Sequence, residues 1–302
     1  MPVSNDADME RWLELRNGLI PDWPMVVEQL RASREHEPLR LDFLAENDEE
    51  LVGGGVGTRG ATSGPGRGYV SVWVVPERRR NGVGSKLLAH AFAHCESHGI
   101  VRTTVLVRET NEAGLAFAAR HGYRVTGRSV QLELDLASAV LPELELHEEI
   151  EIGSHSPAEL RALWAIECEA LPDVPGFDAE VAEPFERWRD RALTMPGYRP
   201  ETFMVARSRG VPIGFAQLRF DGVEEGTAEH EFTGVLRAWR GRGVAAALKR
   251  AQVAWAKEAG LRKLLTENED RNEPIRRVNA ALGYAPTPAW LLLEVDRSNQ
   301  SE

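Results

Sequence analysis

The sequence predicts two α/β (α+β) units of one kind, joined in tandem. Three observations lead there. The chain has 302 residues, more than one small core organises. A six-residue segment, Arg79-Arg80-Asn81-Gly82-Val83-Gly84, returns 161 positions later as Arg240-Gly241-Arg242-Gly243-Val244-Ala245. The same succession of strand-period and helix-period patterns surrounds both copies.

The offset carries Gly99 to Gly260, Asn111-Glu112 to Asn272-Glu273, and Gly122-Tyr123 to Gly283-Tyr284. Between 79 and 123 no gap is needed, and 11 of the 45 positions are identical. Average composition would give about 3. The matches fall on Gly, Asn and Arg, residues with special backbone or polar roles, so duplication outweighs coincidence.

Each element follows from its pattern. In the first copy, 41–45 and 51–56 read as strands. The Gly-rich stretch 53–68 reads as an exposed hairpin loop. The β-branched run 70–75 predicts a buried strand. Residues 82–97 carry a helical stripe of Val83, Leu87, Leu88, Ala91 and Phe92, closed by Gly99. A strand at 101–107, a helix at 112–121 and a strand at 125–136 follow. The second copy predicts strands at 202–206 and 211–220, then strand 227–236, helix 243–259, strand 262–268, helix 273–282 and strand 289–295. The alternation that ends at Leu136 closes the first unit, and 146–152 reads as the opening strand of the second. The expected domains are therefore 1–140 and 146–298.

Composition excludes several classes. Hydrophobic residues at 42% and charged residues at 27% fit a folded protein rather than a disordered one. A formal charge of −11 argues against nucleic acid as the partner, because phosphate binding needs a basic face. It suits a cationic substrate, and also plain solubility. No apolar run approaches the roughly 18–20 residues of a membrane span, and the acidic, polar start does not read as a signal peptide, so the expectation is cytoplasmic. The two cysteines, Cys95 and Cys168, stand too far apart for a disulfide framework or a zinc site, and no metal is expected.

The repeated loop carries the chemistry. A strand runs into Arg-x-x-Gly-x-Gly/Ala and a helix begins there. First-turn N–H groups lack internal partners, the helix dipole adds positive potential, and glycine removes the Cβ that would hold a phosphate away. A nearby arginine adds charge-assisted hydrogen bonds. A Walker loop is excluded, since Gly84-Ser85-Lys86 has the wrong order. A dinucleotide fingerprint is excluded because Leu87 stands where its third glycine belongs, and because the loop does not follow the first strand.

The unit of strand, Arg-x-x-Gly-x-Gly/Ala loop, helix, strand, Asn and a helix ending in Gly-Tyr resembles the GNAT superfamily of N-acetyltransferases, twice over. The resemblance implies that each unit is a mixed, mostly antiparallel sheet flanked by helices. It implies acetyl-coenzyme A as co-substrate, with the diphosphate on Arg79, Arg80, Asn81, Gly82, Val83, Gly84 and Ser85 and on Arg240, Gly241, Arg242, Gly243, Val244, Ala245 and Ala246. The pantetheine arm would lie along the backbone of Val74 and Val75 and of Thr233, Gly234, Val235 and Leu236. Asn111 and Asn272 match the family asparagine near the coenzyme, and each also reads as a plain N-cap. The layout is similar to the mycothiol synthase type of tandem GNAT, in which the C-terminal copy does the chemistry.

Only the second copy carries acids beside its loop. Period-2 alternation, absent a bulge, puts Glu229, Glu231, Thr233 and Val235 on one face and His230 on the other. The family places an active-site glutamate at the position of Glu229, which makes it the candidate base, with His230 a second candidate. The matching first-copy positions hold no acid. Where the family often has a general-acid tyrosine, the helices read Phe117-Ala118 and Val278-Asn279, so Asn279 is the remaining candidate to meet the coenzyme sulfur. Thr266 and Asn268 are polar where the first copy has Val105 and Val107, and should meet a polar partner. Trp12, Trp23, Trp164 and Trp188 read as core packing rather than an acceptor wall. The expected reaction is direct acetyl transfer to a primary amine of a small molecule. A protein or peptide N-acetyltransferase and a non-catalytic coenzyme-sensing module remain alternatives.

Overall fold

The periodic segments form strands and helices close to where their patterns place them. The computed structural model describes residues 1–298 except 22, 49, 61, 62, 140, 142, 144, 145, 175–181, 195, 196 and 221–223. They fall into two units, Met1–Thr126 with the segment from Leu291, and Gly127–Trp290.

The first unit begins with helices α1 (Asp6–Leu19) and α2 (Val27–His36). Strands β1 (Leu41–Asn47), β2 (Glu50–Thr58) and β3 (Arg67–Val74) form an antiparallel meander. Helix α3 (Val83–Ser97), strand β4 (Arg102–Arg108) and helix α4 (Glu112–Arg120) follow, with β4 parallel to β3. Trp12, Leu13, Leu30, Val56 and Trp73 make a core on the α1/α2 side. Leu87, Leu88, Ala91 and Phe92 of α3 make one on the other side.

The next elements are β5 (Arg124–Asp135), β6 (Ile150–Ser154), α5 (Leu160–Ala170), α6 (Phe185–Thr194), β7 (Met204–Ser208), β8 (Val211–Arg219) and β9 (Thr227–Val235). Helix α7 (Val244–Glu258), β10 (Lys263–Glu269), α8 (Glu273–Leu282), the short β11 (Ala285–Pro286) and β12 (Trp290–Asp296) complete the chain. In the second unit the strands run β6-β7-β8-β9-β10-β5, with β9 and β10 parallel and the others antiparallel. Helices α5 and α6 cover one face, with Trp188, Phe203 and Phe215 in the core. Helices α7 and α8 lie on the face lined by Leu218, Val253, Leu264 and Leu282.

Two expectations are corrected. The domain spans 1–140 and 146–298 assign each final strand to the half that precedes it. Instead β5, from Gly127 on, completes the second unit, where Val130, Leu132 and Leu134 pack with Leu264, Leu282 and Tyr284. The strand next to β4 in the first unit is β12, whose Leu293 and Val295 pack with Phe92 and Ala118. Arg67 and Arg102, from β3 and β4, hold Glu294 and Asp296 of that strand. An alternating apolar strand fixes which face turns inward and leaves its neighbour open. The second correction concerns 53–68. Gly53, Gly54, Gly55 and Gly57 lie inside β2, not in a loop. A Cβ at Gly55 would stand 2.7 Å from the Phe43 ring and 2.5 Å from the Ser71 carbonyl oxygen, so the glycine serves close packing. Residues 61 and 62 of that stretch, and part of the expected boundary at 138–146, lie outside the described residues.

Candidate active site

Both copies of the loop fold alike. A short 3-10 turn, Pro76–Arg78 or Arg237–Trp239, leads to an extended arginine. Arg80 and Gly241 then take φ of +66° and +74°, and Gly82 and Gly243 both take +77°. Gly82 and Gly243 cap α3 and α7 with no side-chain hydrogen bond. The first intrahelical bonds come from Lys86 N–H and Ala247 N–H, so the amides of 83–85 and 244–246 precede the helical ladder. A Cβ at Gly82 or Gly241 would meet nothing within 4 Å. These are open concavities of peptide N–H, suited to an anion. Arg79 and Arg240 each brace their loop by donating Nε to a strand carbonyl, Val74 or Val235, at 3.0 Å.

Beside each loop the sheet divides. The parallel ladder between β3 and β4 ends at Tyr69 and Thr104, while the strands continue to Val74 and Arg108. Between β9 and β10 it ends at Glu229 and Leu265, while the strands run to Val235 and Glu269. The strand edge past each divide needs hydrogen-bond partners, and an extended arm with amide groups can supply them. Some predicted backbone partners are already engaged. Val75 N–H donates to the Val52 carbonyl, Leu236 N–H to that of Ile213, and the Val74 and Val235 carbonyls hold the arginines. Thr233 Oγ1, by contrast, is buried with no partner among the described residues.

The two copies differ around this shared frame. In the first, the Phe117 ring lies 3.1 Å from where a Gly84 Cβ would stand, and Ser85 shares a 3.0 Å hydrogen bond with His121. Asn111 caps α4 by accepting from Gly114 N–H, whereas Asn272 makes no capping bond. In the second, Asp173 bridges Arg237 and Arg240 at 2.7 Å each, so an acid already sits against the loop.

The alternation of β9 needs correction. Gln217 pairs with Phe232 and Leu218 with His230, which leaves Glu231 as a bulge. Glu229 and Glu231 both reach Arg219, on the α5/α6 face. Thr233, opposite Ala216, and Val235 fall on the α7 face instead. Arg191 of α6 completes the acidic face, 2.6 Å from Glu183, 3.3 Å from Glu167 and 4.0 Å from Glu231. Trp188 Nε1 donates to Glu167 at 2.7 Å. Four carboxylates thus face two arginines, and Glu183 Oε1 is buried without a partner among the described residues. Burial pushes the Glu229 carboxyl above the ordinary range, against the pull of Arg219. Sequence reasoning missed Arg191, Arg219, Glu167 and Glu183, because no spacing ties α5, α6 and β8 to the loop.

On the α7 face, His230 is buried between Gln252 Oε1 at 2.9 Å and the Tyr284 hydroxyl at 2.5 Å. Burial pulls its pKa well down, so the second base candidate is a neutral core group. Asn279 is fully buried too, its amide spent on Lys249 and Asn268 rather than presented to a ligand. Cys95 is buried, its thiol pushed up to about 11, which suits packing and not nucleophilic attack. Trp12 and Trp188 are core residues as expected, whereas Trp23 is 37% exposed.

The profile of the acetyltransferase (GNAT) family matches residues 7–123 and again 160–284. A mycothiol acetyltransferase from Nocardia farcinica is 26% identical over 254 residues, covering 81% of this chain and 79% of that protein. A tandem GNAT protein from the clavulanic acid biosynthesis pathway superposes with a TM-score of 0.75 at 22% identity, over 99% of this chain and 98% of the other. A GCN5-related N-acetyltransferase from Sphaerobacter thermophilus gives 0.74 at 19%, over 97% and 94%. The two solved structures share this fold. Among the described residues no helix is long and apolar enough to cross a membrane.

Proposed function

The chain belongs to the GNAT family of acetyltransferases, and from that premise we propose that its second unit moves an acetyl group from acetyl-coenzyme A directly to a primary amine of a small molecule. One observation carries this reading. Across the β9–β10 divide, the uncapped loop lies at the end of α7 on one face, and four carboxylates against two arginines lie on the other. An anionic co-substrate and a cationic acceptor would then approach from opposite faces. The amides of Val244, Ala245 and Ala246, with Arg240, would hold the diphosphate. Thr233 and the free edge of β9 would hold the arm. The co-substrate supplies an activated thioester carbonyl.

The chain's own part is to place the amine and take its proton. Glu229 stands where the divide opens, and its raised pKa brings a carboxylate nearer to neutrality, where a general base works best. The acceptor ammonium would first give one proton to Glu229; as the freed lone pair bonds to the carbonyl carbon, a second N–H proton would leave to solvent. The C–S bond breaks with its electron pair left on sulfur. In the first unit Gly68 and Val70 replace Glu229 and Glu231, and we assign that unit to coenzyme binding without chemistry. A small-molecule acceptor agrees with the name of the Nocardia relative.

The test mixes protein, acetyl-coenzyme A and a panel of amines, peptides included, and follows free thiol. Wild type should release thiol with small amines, and Glu229→Gln should lose about 10²-fold or more. Equal release by both proteins removes Glu229 from the mechanism. Release with peptides alone replaces the substrate class, and none with any acceptor leaves a binding module.

A further inference from the structure

Behind the β9–β10 divide, the second unit buries a chain of polar groups that the first unit lacks. Lys249 of α7 is fully buried. Its Nζ donates to Asn279 Oδ1 at 2.6 Å and to Thr266 Oγ1 at 3.3 Å. Asn279 Nδ2 in turn donates to Asn268 Oδ1 at 2.5 Å. Asn268 is half-buried and lies on β10 three residues past the last rung shared with β9. At the 161-residue offset the first unit has Leu88, Val105, Val107 and Ala118 in place of Lys249, Thr266, Asn268 and Asn279. The fold therefore needs none of these polar groups, and it bears the cost of a buried lysine with, among the described residues, no carboxylate against it.

We propose that Lys249, Asn279 and Asn268 form a one-way donor relay that turns the Asn268 amide N–H toward the coenzyme sulfur and so offers the departing thiolate a hydrogen-bond donor. This rests on the acyl-transfer reading above. The direction follows from donor chemistry. Lys249 Nζ donates to both of its partners, and Asn279 offers it Oδ1. That fixes Asn279 Nδ2 toward Asn268, which must accept with Oδ1, leaving the Nδ2 hydrogens of Asn268 pointing away from the core. A thiolate forming there gains a donor in a medium of low polarity. The groups around the Lys249 amine, among the described residues, are Asn279 from α8, Thr266 from β10, the Tyr284 ring at 5.4 Å and the neutral His230 of β9.

The test uses the full chain with coenzyme A and no acceptor. Affinity is measured by calorimetry, and ionisation of the bound thiol by its thiolate absorbance against pH. Wild type should hold the bound thiol about tenfold more ionised than the free coenzyme at a given pH. Lys249→Met, and separately Asn268→Val (the first unit's residue), should abolish that shift while still binding. Thermal melts of both variants check folding. Binding with the same titration in wild type and variants overturns the relay alone. Failure of wild type to bind the coenzyme overturns the acyl-transfer reading, and the relay with it.

Discussion

Lys249→Met should make the second unit more stable, and by an amount that depends on pH. The lysine is fully buried, and burial alone pulls its pKa from 10.5 to about 7. A shift of this size corresponds to roughly 5 kcal/mol of cost when the group is charged, at 1.36 kcal/mol per unit. The sign follows from proton counts. Below about pH 7 folded and unfolded chains both bind the proton, and the folded state bears the full penalty. Between about 7 and 10.5 the unfolded chain keeps the proton and the folded one releases it, so stability climbs by about 1.4 kcal/mol per pH unit. The substitution removes the penalty but leaves Asn279 Oδ1 and Thr266 without their donor, at a cost of about 1–2 kcal/mol. A net gain of about 3–4 kcal/mol is expected near pH 7, fading toward pH 9. Urea titrations of both proteins at pH 6.5, 7.5 and 8.5, following tryptophan emission, would show it. Cys95, its thiol pushed up to about 11 by burial, is present in both proteins and shifts both curves equally. If the two proteins give parallel stability curves across this range, Lys249 is not a desolvated ammonium and the reasoning fails.

Two further outcomes follow from the loops. Gly243→Val forces a branched side chain into a φ of +77° and shields the amides of 244–246, so coenzyme A affinity at the second unit should fall at least tenfold; Gly82→Val should leave that affinity unchanged, and calorimetry on the two variants separates the sites. Asp173→Asn frees Arg237 and Arg240 from their shared carboxylate, so it should tighten coenzyme A binding several-fold, with a larger gain at low salt.

The sequence by itself determined the duplication, the order of elements and the two loops. Those depend on local rules: glycine where φ is positive, period 2 or 3.6 for an inward face, bare amides at a helix start. Residues 82 and 243 adopt one conformation because the same local demand was met twice. Tertiary structure alone decided three things. It chose the partners of β5 and β12, because alternation fixes a face and many neighbours can satisfy it. It placed a bulge at Glu231, which keeps Glu229 and Glu231 together and sends Thr233 to the other side; a single extra residue leaves no mark in composition. It also gathered Glu167, Glu183, Arg191 and Arg219 around Glu229, and Lys249 around Asn279, from helices and strands far apart in the chain. A trace of the second cluster was legible: Lys249 interrupts the apolar stripe of α7 where α3 has Leu88. What the stripe could not reveal was the asparagine that receives its proton donor, because hydrogen bonds between elements exist only once the elements are packed.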